Sequence, residues 1–354
     1  MAGEPTTMSL SLRSTLAMST ILAFCALPAF AQERLGQDVV ASNSPLNAQQ
    51  QQQVLEYVEV WTEDLASGDP RKMIEARDEL IKPTLRGGVD VYFLQTYSKY
   101  LLPKLGPIIS GSEQIRGENA MRVAAFLHTP QSAMLIVEQT DPDNNPDEFS
   151  RLVAAGLMST VVRDVRHSGL NSGELTALAR SLANSISKET TNWHVVLKDF
   201  RALGEIAASP ELTELNRRDV KALQFQSFSN LVQRAGVSTS PSPLMEAVFR
   251  SLLDLRSKLI ASGATGQTQN LQLVQEVKNT LLSTGKAAVK QWNGLSSDSS
   301  LRNAYEGVLR VGAQILSLLG STDAQTDRAI SALAEAMPKG KAAVQKAIDL
   351  FPNS

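Results

Sequence analysis

The chain has 354 residues, 43% of them hydrophobic and 20% charged, with a formal net charge of −2 and a single cysteine. That is enough apolar material for one or two cores and too little positive charge to gather nucleic-acid phosphates. One cysteine excludes an internal disulfide and any site built from several thiolates.

From Met8, the stretch MSLSLRSTLAMSTILAFCALPAFAQ has one arginine, an uncharged apolar run, and Ala29 and Ala31 at the small-residue positions before Gln32. That is the pattern of a cleaved secretory signal. Residues 1–7 hold Glu4 and no base, so Met8 reads as the start. Residues 1–31 are therefore expected to be a signal peptide cleaved after Ala31, which removes Cys25 and delivers the rest to the periplasm or outside the cell. A lipid anchor at Cys25 is disfavoured because Phe24 stands where a small residue is needed. The apolar run is short for a ~20-residue membrane span, so no stable span is expected after cleavage.

Residues 32–46, QERLGQDVVASNSPL, are polar, end near Ser44-Pro45 and are expected to form a tether. A helix follows in NAQQQQQVLEYVEVWTEDLASGDP, where Val54, Leu55, Val58, Trp61 and Leu65 make one stripe and Ser67-Gly68 stops it. Asp69-Pro70 opens the next helix: the aspartate can accept from the first free amides, and proline has no amide to leave unpaired. That helix, RKMIEARDELI, should end before Pro83, and Gly87-Gly88 separates it from a third with Phe93, Leu94, Tyr97 and Leu101 on one face. The alternation in VDVYF suits a strand, but nothing nearby could pair with it.

In RGENAMRVAAFLHTPQSAMLIVEQTDP, residues 116–142, Ala120, Val123, Ala124 and Leu127 form a helical face, and Thr129-Pro130 repeats the cap-plus-proline start. The helix it opens, QSAMLIVEQ, is apolar nearly all round and is expected to be enclosed. After a loop beginning at Asp141, Asn145-Pro146 should open a further helix with Phe149, Leu152, Val153, Leu157 and Val161 inward. The expected unit is an αα-hairpin, repeated.

Superposing the segments that begin at Asp69, Gly111 and Asn145 aligns Met73 with Ile115 and Phe149, and Ala120 with Ala154. With its Asp/Pro start, Arg116 and the interior Ala120, the segment of roughly residues 69–165 resembles HEAT-type helical repeats, although Ile74 and Ser150 stand where Arg116 does. The resemblance implies an all-α fold: an α-solenoid or superhelical array of αα-hairpins, HEAT-like over residues 47–208. Residues 209–354 keep the apolar stripes but lose the repeat. The linkers GVSTSPSP, SGATGQTQ and GLSSDSS punctuate this C-terminal helical region, which either continues the array or begins a new domain at Ser209-Pro210.

Few residues suggest chemistry. Asp141, Asp143, Asn145 and Asp147 alternate like calcium ligands, but Pro146 and Leu152 occupy the positions where such a loop needs glycine and a bidentate acid. The alternative is a turn whose side chains cap the next helix. Ser185 to Lys188 and Ser283 to Lys286 match S-x-x-K, and Ser297 begins SDS, but no K-T-G accompanies them. His128, His167 and His194 form no local ligand motif. Tyr92 and Tyr100 lie off the face that carries Phe93 and Tyr97, and are candidates for an interaction surface.

The expected function is an exported, non-enzymatic scaffold or protein-binding module of the periplasm or cell envelope, with a protein or peptide partner, no nucleic acid and no cofactor. Two alternatives stay open. One is an envelope enzyme acting on cell-wall or small-molecule material through a site scattered over several helices; the other is a helical protein that binds a small ligand.

Overall fold

The computed structural model describes residues 34–163, 170–261, 271–320 and 324–351. The expected signal segment, residues 1–31, lies outside these, as does His167. Among the described residues every regular element is helical, and no helix is long and apolar enough to cross a membrane.

The capping signals act where they were read. α2 (Ala48–Ala66) starts in a capping box between Asn47 and Gln50. In α3 (Pro70–Ile81), the Asp69 carboxylate accepts from the amides of Arg71 and Lys72. Asp90 caps α4 (Val91–Ile109), so VDVYF enters a helix. After α5 (Gln114–Ala125), Thr129 and Ser132 cap each other at the start of α6 (Pro130–Glu138). Between these two helices His128 adopts a positive φ of 50°, a left-handed conformation that lets α5 end and α6 turn back within a few residues.

The end of α3 shows how a proline is accommodated. Pro83, in a 3-10 turn over Lys82–Leu85, has no N–H to offer the Glu79 carbonyl four residues earlier. The Tyr57 hydroxyl supplies the missing donor at 2.5 Å, and Tyr97 donates to the neighbouring Leu80 carbonyl at 2.8 Å. Both rings are buried, and burial is the main reason that both phenols are held protonated well above the usual tyrosine range.

The expected tether is instead docked, as far as it is described. Leu35, Val39, Val40 and Leu46 are buried, with a short helix α1 (Gln37–Val40) among them. The Arg86 guanidinium donates to the Leu35 carbonyl, and the Val40 carbonyl accepts from the Asp90 amide. Average polarity hid four apolar anchors, each able to contribute about 1.5–3 kcal/mol when fully buried.

The remaining helices are α7 (Glu148–Arg163), α8 (Ser172–Lys188), α9 (Trp193–Ala208), α10 (Glu214–Val237), α11 (Met245–Ala261), α12 (Leu271–Lys290), α13 (Trp292–Ser297), α14 (Ser299–Leu319), α15 (Ala324–Ala334), α16 (Ala336–Lys339) and α17 (Lys341–Ile348). Their packing follows a simple rule. α3, α5, α7, α9, α11 and α14 each rest on the next in that order, and so do α2, α4, α6, α8, α10, α12 and α17. The two rows are joined by the pairs α2 with α3, α4 with α5, α6 with α7, α8 with α9, α10 with α11, and α12 with α14. α9 touches both α10 and α11, so packing is unbroken across Ser209-Pro210. One apolar cluster extends from Leu35 to Phe351.

Some stripes are rotated from expectation. On α7, Phe149 is 56% exposed and Leu152, Val153 and Leu157 are only half-buried; the inward face carries Ala154, Ala155, Met158, Val161 and Val162. α7 begins at Glu148, and it is the Asp147 side chain, not Asn145, that caps it by accepting from the Ser150 amide. The aligned positions also differ: Met73 is buried, whereas Ile115 and Phe149 are exposed, and only Ala120 and Ala154 share full burial. On α6, Met134 and Leu135 stay partly exposed rather than enclosed. α12 continues through Gly285, which lies against Leu333 and Ile348, and α13 and α17 had no counterpart in the sequence reading.

Candidate functional site

A buried polar staple ties the middle of the molecule together. Glu189, between α8 and α9, receives three backbone amides, of Thr190, Thr191 and Asn192, on Oε1. Its Oε2 is held by Arg151 of α7 at 3.0 Å. The same guanidinium donates to the carbonyls of Asn145 and Pro146. Burial pushes the Glu189 carboxyl up, but the amides of Thr191 and Asn192 and the charge of Arg151 pull harder, and the net shift is downward. From α10, Arg234 donates to the carbonyls of Ile186 and Glu189 at the end of α8.

The acidic turn that alternates like calcium ligands belongs to this staple. Lys188 places its ammonium 2.7 Å from Asp141 Oδ2 and 2.7 Å from Asp143 Oδ2. Asn184 also donates to Asp141, while Asp141 and Asn145 accept amides within their own turn. The positive charge these acids gather is a lysine that stands 47 residues away from Asp141 in sequence. Among the described residues no group of three or more His, Cys, Asp or Glu side chains is arranged to hold a metal.

The S-x-x-K motif of α8 is spent on the same contacts. Ser185 is fully buried, and its hydroxyl donates to the Thr140 carbonyl at 2.8 Å beside Asp199, while Lys188 faces the turn. On α12, Lys286 is exposed; Ser297 bonds backward to the carbonyl of Gly294. His194 stacks on Trp193 with ring centroids 3.6 Å apart, and His128 is buried in its turn, edge-on to Phe126.

The two tyrosines separate. Tyr92 is exposed at the start of α4, whereas Tyr100 is half-buried, its hydroxyl 3.2 Å from Gln51 and the Lys99 ammonium over its ring. Beside them lies a groove. One hollow of about 680 Å³ is walled by Leu94, Ser98, Lys99, Leu102 and Pro103 of α4 and by the 128–131 turn. A second, of about 470 Å³, is walled by Met134, Leu135 and Glu138 of α6. Leu102, Pro130 and Gln131 line both, so the two adjoin. Pro103 and Pro107 sit inside α4 and deny the usual helical amide to the carbonyls of Lys99 and Pro103, two residues that line the groove. Those internal prolines were the signal in the sequence that this helical face has carbonyls without their usual amide.

A different cavity, of about 370 Å³, opens between α9, α10 and α11. Its floor is apolar, with Phe200, Phe225, Leu255, Leu259 and Leu273, and its wall carries Arg201, Arg217, Lys221 and Lys258 against one acid, Asp254. No family model, curated protein or solved structure matches the chain.

Proposed function

We propose that the chain is an α-solenoid-like scaffold, HEAT-like over residues 47–208 and continued by residues 209–354, that holds a protein or peptide segment in the groove over α4 and α6. The observation that carries this reading is the junction of the two hollows at Leu102, Pro130 and Gln131. It makes an apolar strip through Leu94, Leu102, Met134 and Leu135, edged by Gln95, Lys99, Gln131 and Glu138. An extended segment laid there could bury apolar side chains and donate amides to the carbonyls left open by Pro103 and Pro107. Tyr92, next in chain to the groove residue Val91, would extend the contact. The two-row stacking of helix pairs supports the array, and Ala29 and Ala31 before Gln32 support export to the periplasm or cell envelope.

Selection of displayed peptides on purified residues 32–354, followed by fluorescence anisotropy, tests the groove. Selected peptides should bind the Leu102→Asp variant at least tenfold more weakly, with unchanged helical circular dichroism. Peptides that bind this variant as well as the unaltered chain, or no selection at all, would refute the assignment. Export is tested by fusing residues 1–35 to an enzyme that is active only outside the cytoplasm.

A further inference from the structure

The cavity between α9, α10 and α11 combines three features. Its floor is formed by buried rings, with Phe200 and Phe225 both nearly inaccessible and Phe200 stacked on Phe228 at 4.2 Å. Its wall is basic in a chain of net charge −2. Arg201 is matched by Asp254 at 2.8 Å, but among the described residues Arg217, Lys221 and Lys258 have no carboxylate within ion-pair distance. Third, two of its buried polar atoms have no hydrogen-bond partner among the described residues: the Ser251 hydroxyl, and Nε of Arg217, whose Nη2 donates to the carbonyls of Ser209 and Leu212. Buried donors are nearly always matched in folded proteins, and these two, beside three cations without a carboxylate, are open to an acceptor that enters the cavity.

Gly204 explains how the charge comes so close to the floor. A side chain there would begin 3.2 Å from Lys258 Nζ and 3.3 Å from Gln224 Nε2, and glycine lets both polar ends settle on the α9 backbone.

We propose that this cavity binds a single-chain carboxylate amphiphile, an anionic head on an unbranched hydrocarbon tail. Nε of Arg217, the ammonium groups of Lys221 and Lys258, and the Ser251 hydroxyl receive the carboxylate, since guanidinium and ammonium donors make their strongest hydrogen bonds to an ionised acceptor. The tail lies on Phe200, Phe225, Leu255 and Leu259. A volume of about 370 Å³ is near the lower limit of small-molecule sites, room for one chain and not for a two-chain lipid. This site is separate from the groove over α4 and α6 and does not depend on it.

Calorimetric titration of residues 32–354 with sodium decanoate, 1-decanol and sodium acetate tests the proposal. Decanoate should bind at one per chain, and acetate not measurably. 1-Decanol should bind at least tenfold more weakly than decanoate. Lys221→Gln with Lys258→Gln should weaken decanoate at least tenfold without changing 1-decanol. Ala208→Trp, at an exposed position on the cavity wall, should abolish both with helical circular dichroism unchanged, while Leu102→Asp in the distant groove should leave both intact. Equal affinity for decanoate and 1-decanol, several decanoates per chain, or binding that survives Ala208→Trp would overturn it.

Discussion

The Ser185 hydroxyl lies 3.0 Å from Oδ2 of Asp199, and neither residue has any exposed surface. The Ser185 hydroxyl faces two acceptors, the Thr140 carbonyl and this carboxylate oxygen, and has one proton to share between them. Burial pushes the Asp199 carboxyl well above the usual 3.8; the bond to Ser185 opposes this and the nearby charge of Glu189 adds to it. The folded state therefore holds a proton that the unfolded chain releases. Its contribution is full below the ordinary aspartate pKa and is lost as pH rises toward the folded value. Asp199→Asn keeps the shape and never ionises. Urea unfolding from pH 5 to 9 should show wild-type stability falling relative to the variant, which should be more stable by about 1 kcal/mol or more at the alkaline end. Parallel curves would contradict this.

Glu189→Gln should be severe. It leaves the Arg151 guanidinium, only 7% exposed, without its counter-charge, a loss of about 3–5 kcal/mol for a buried pair. Adding Arg151→Leu should recover part of the loss, because the stranded charge is then gone. With the folded pKa of Glu189 depressed, its contribution is present above the ordinary glutamate pKa and fades as pH falls through the folded value. Denaturant titrations of both singles and the double would show whether the pair is coupled; additive losses would mean it is not.

Tyr57→Phe should cost about 1–3 kcal/mol by leaving the Glu79 carbonyl without a donor. In a Pro83→Ala background residue 83 regains an N–H, and the same tyrosine change should cost less. A double-mutant cycle by thermal melting reads this directly, and a tyrosine effect that is unchanged by Pro83→Ala would remove proline as its cause.

Gly307→Ala should destabilise the contact between α14 and α11 by about 1–3 kcal/mol, since the added carbon would lie 2.5 Å from ring atoms of Phe249. Phe249→Leu in the same chain should relieve most of that penalty. Urea midpoints of the four proteins in this cycle provide the check.

Local chemistry was readable in the sequence wherever neighbours in the chain decide the outcome. Asp69-Pro70 and Thr129-Pro130 open helices because a cap and a missing amide act within three residues of each other. The facing of α7 was not readable, because apolar residues lie on several sides of that helix and its contacts with α5, α6 and α9 select the buried one; Phe149 points outward and the small Ala154 and Ala155 inward. The acidic turn resembled a cation loop from its own residues alone. Lys188, which pairs with Asp141 and Asp143, comes from another helix, and only the fold brings them together. The cavity cations were equally hidden: Arg217 and Lys221 look like an ordinary solvated face of α10 until α11 brings Lys258 and Ser251 alongside.

The two-row stacking described above bears on how the chain comes into being. Each helix leans on elements close to it in sequence, so most of the contacts that hold a hairpin in place exist soon after that hairpin has been synthesised. Early pairs such as α2 with α3 can therefore close while distant ones are still unmade, and short loops make such closure fast. Among the described residues no principal helix pair joins α1 or α2 to α17, so this part of the molecule can mature from its amino end onward like a zip.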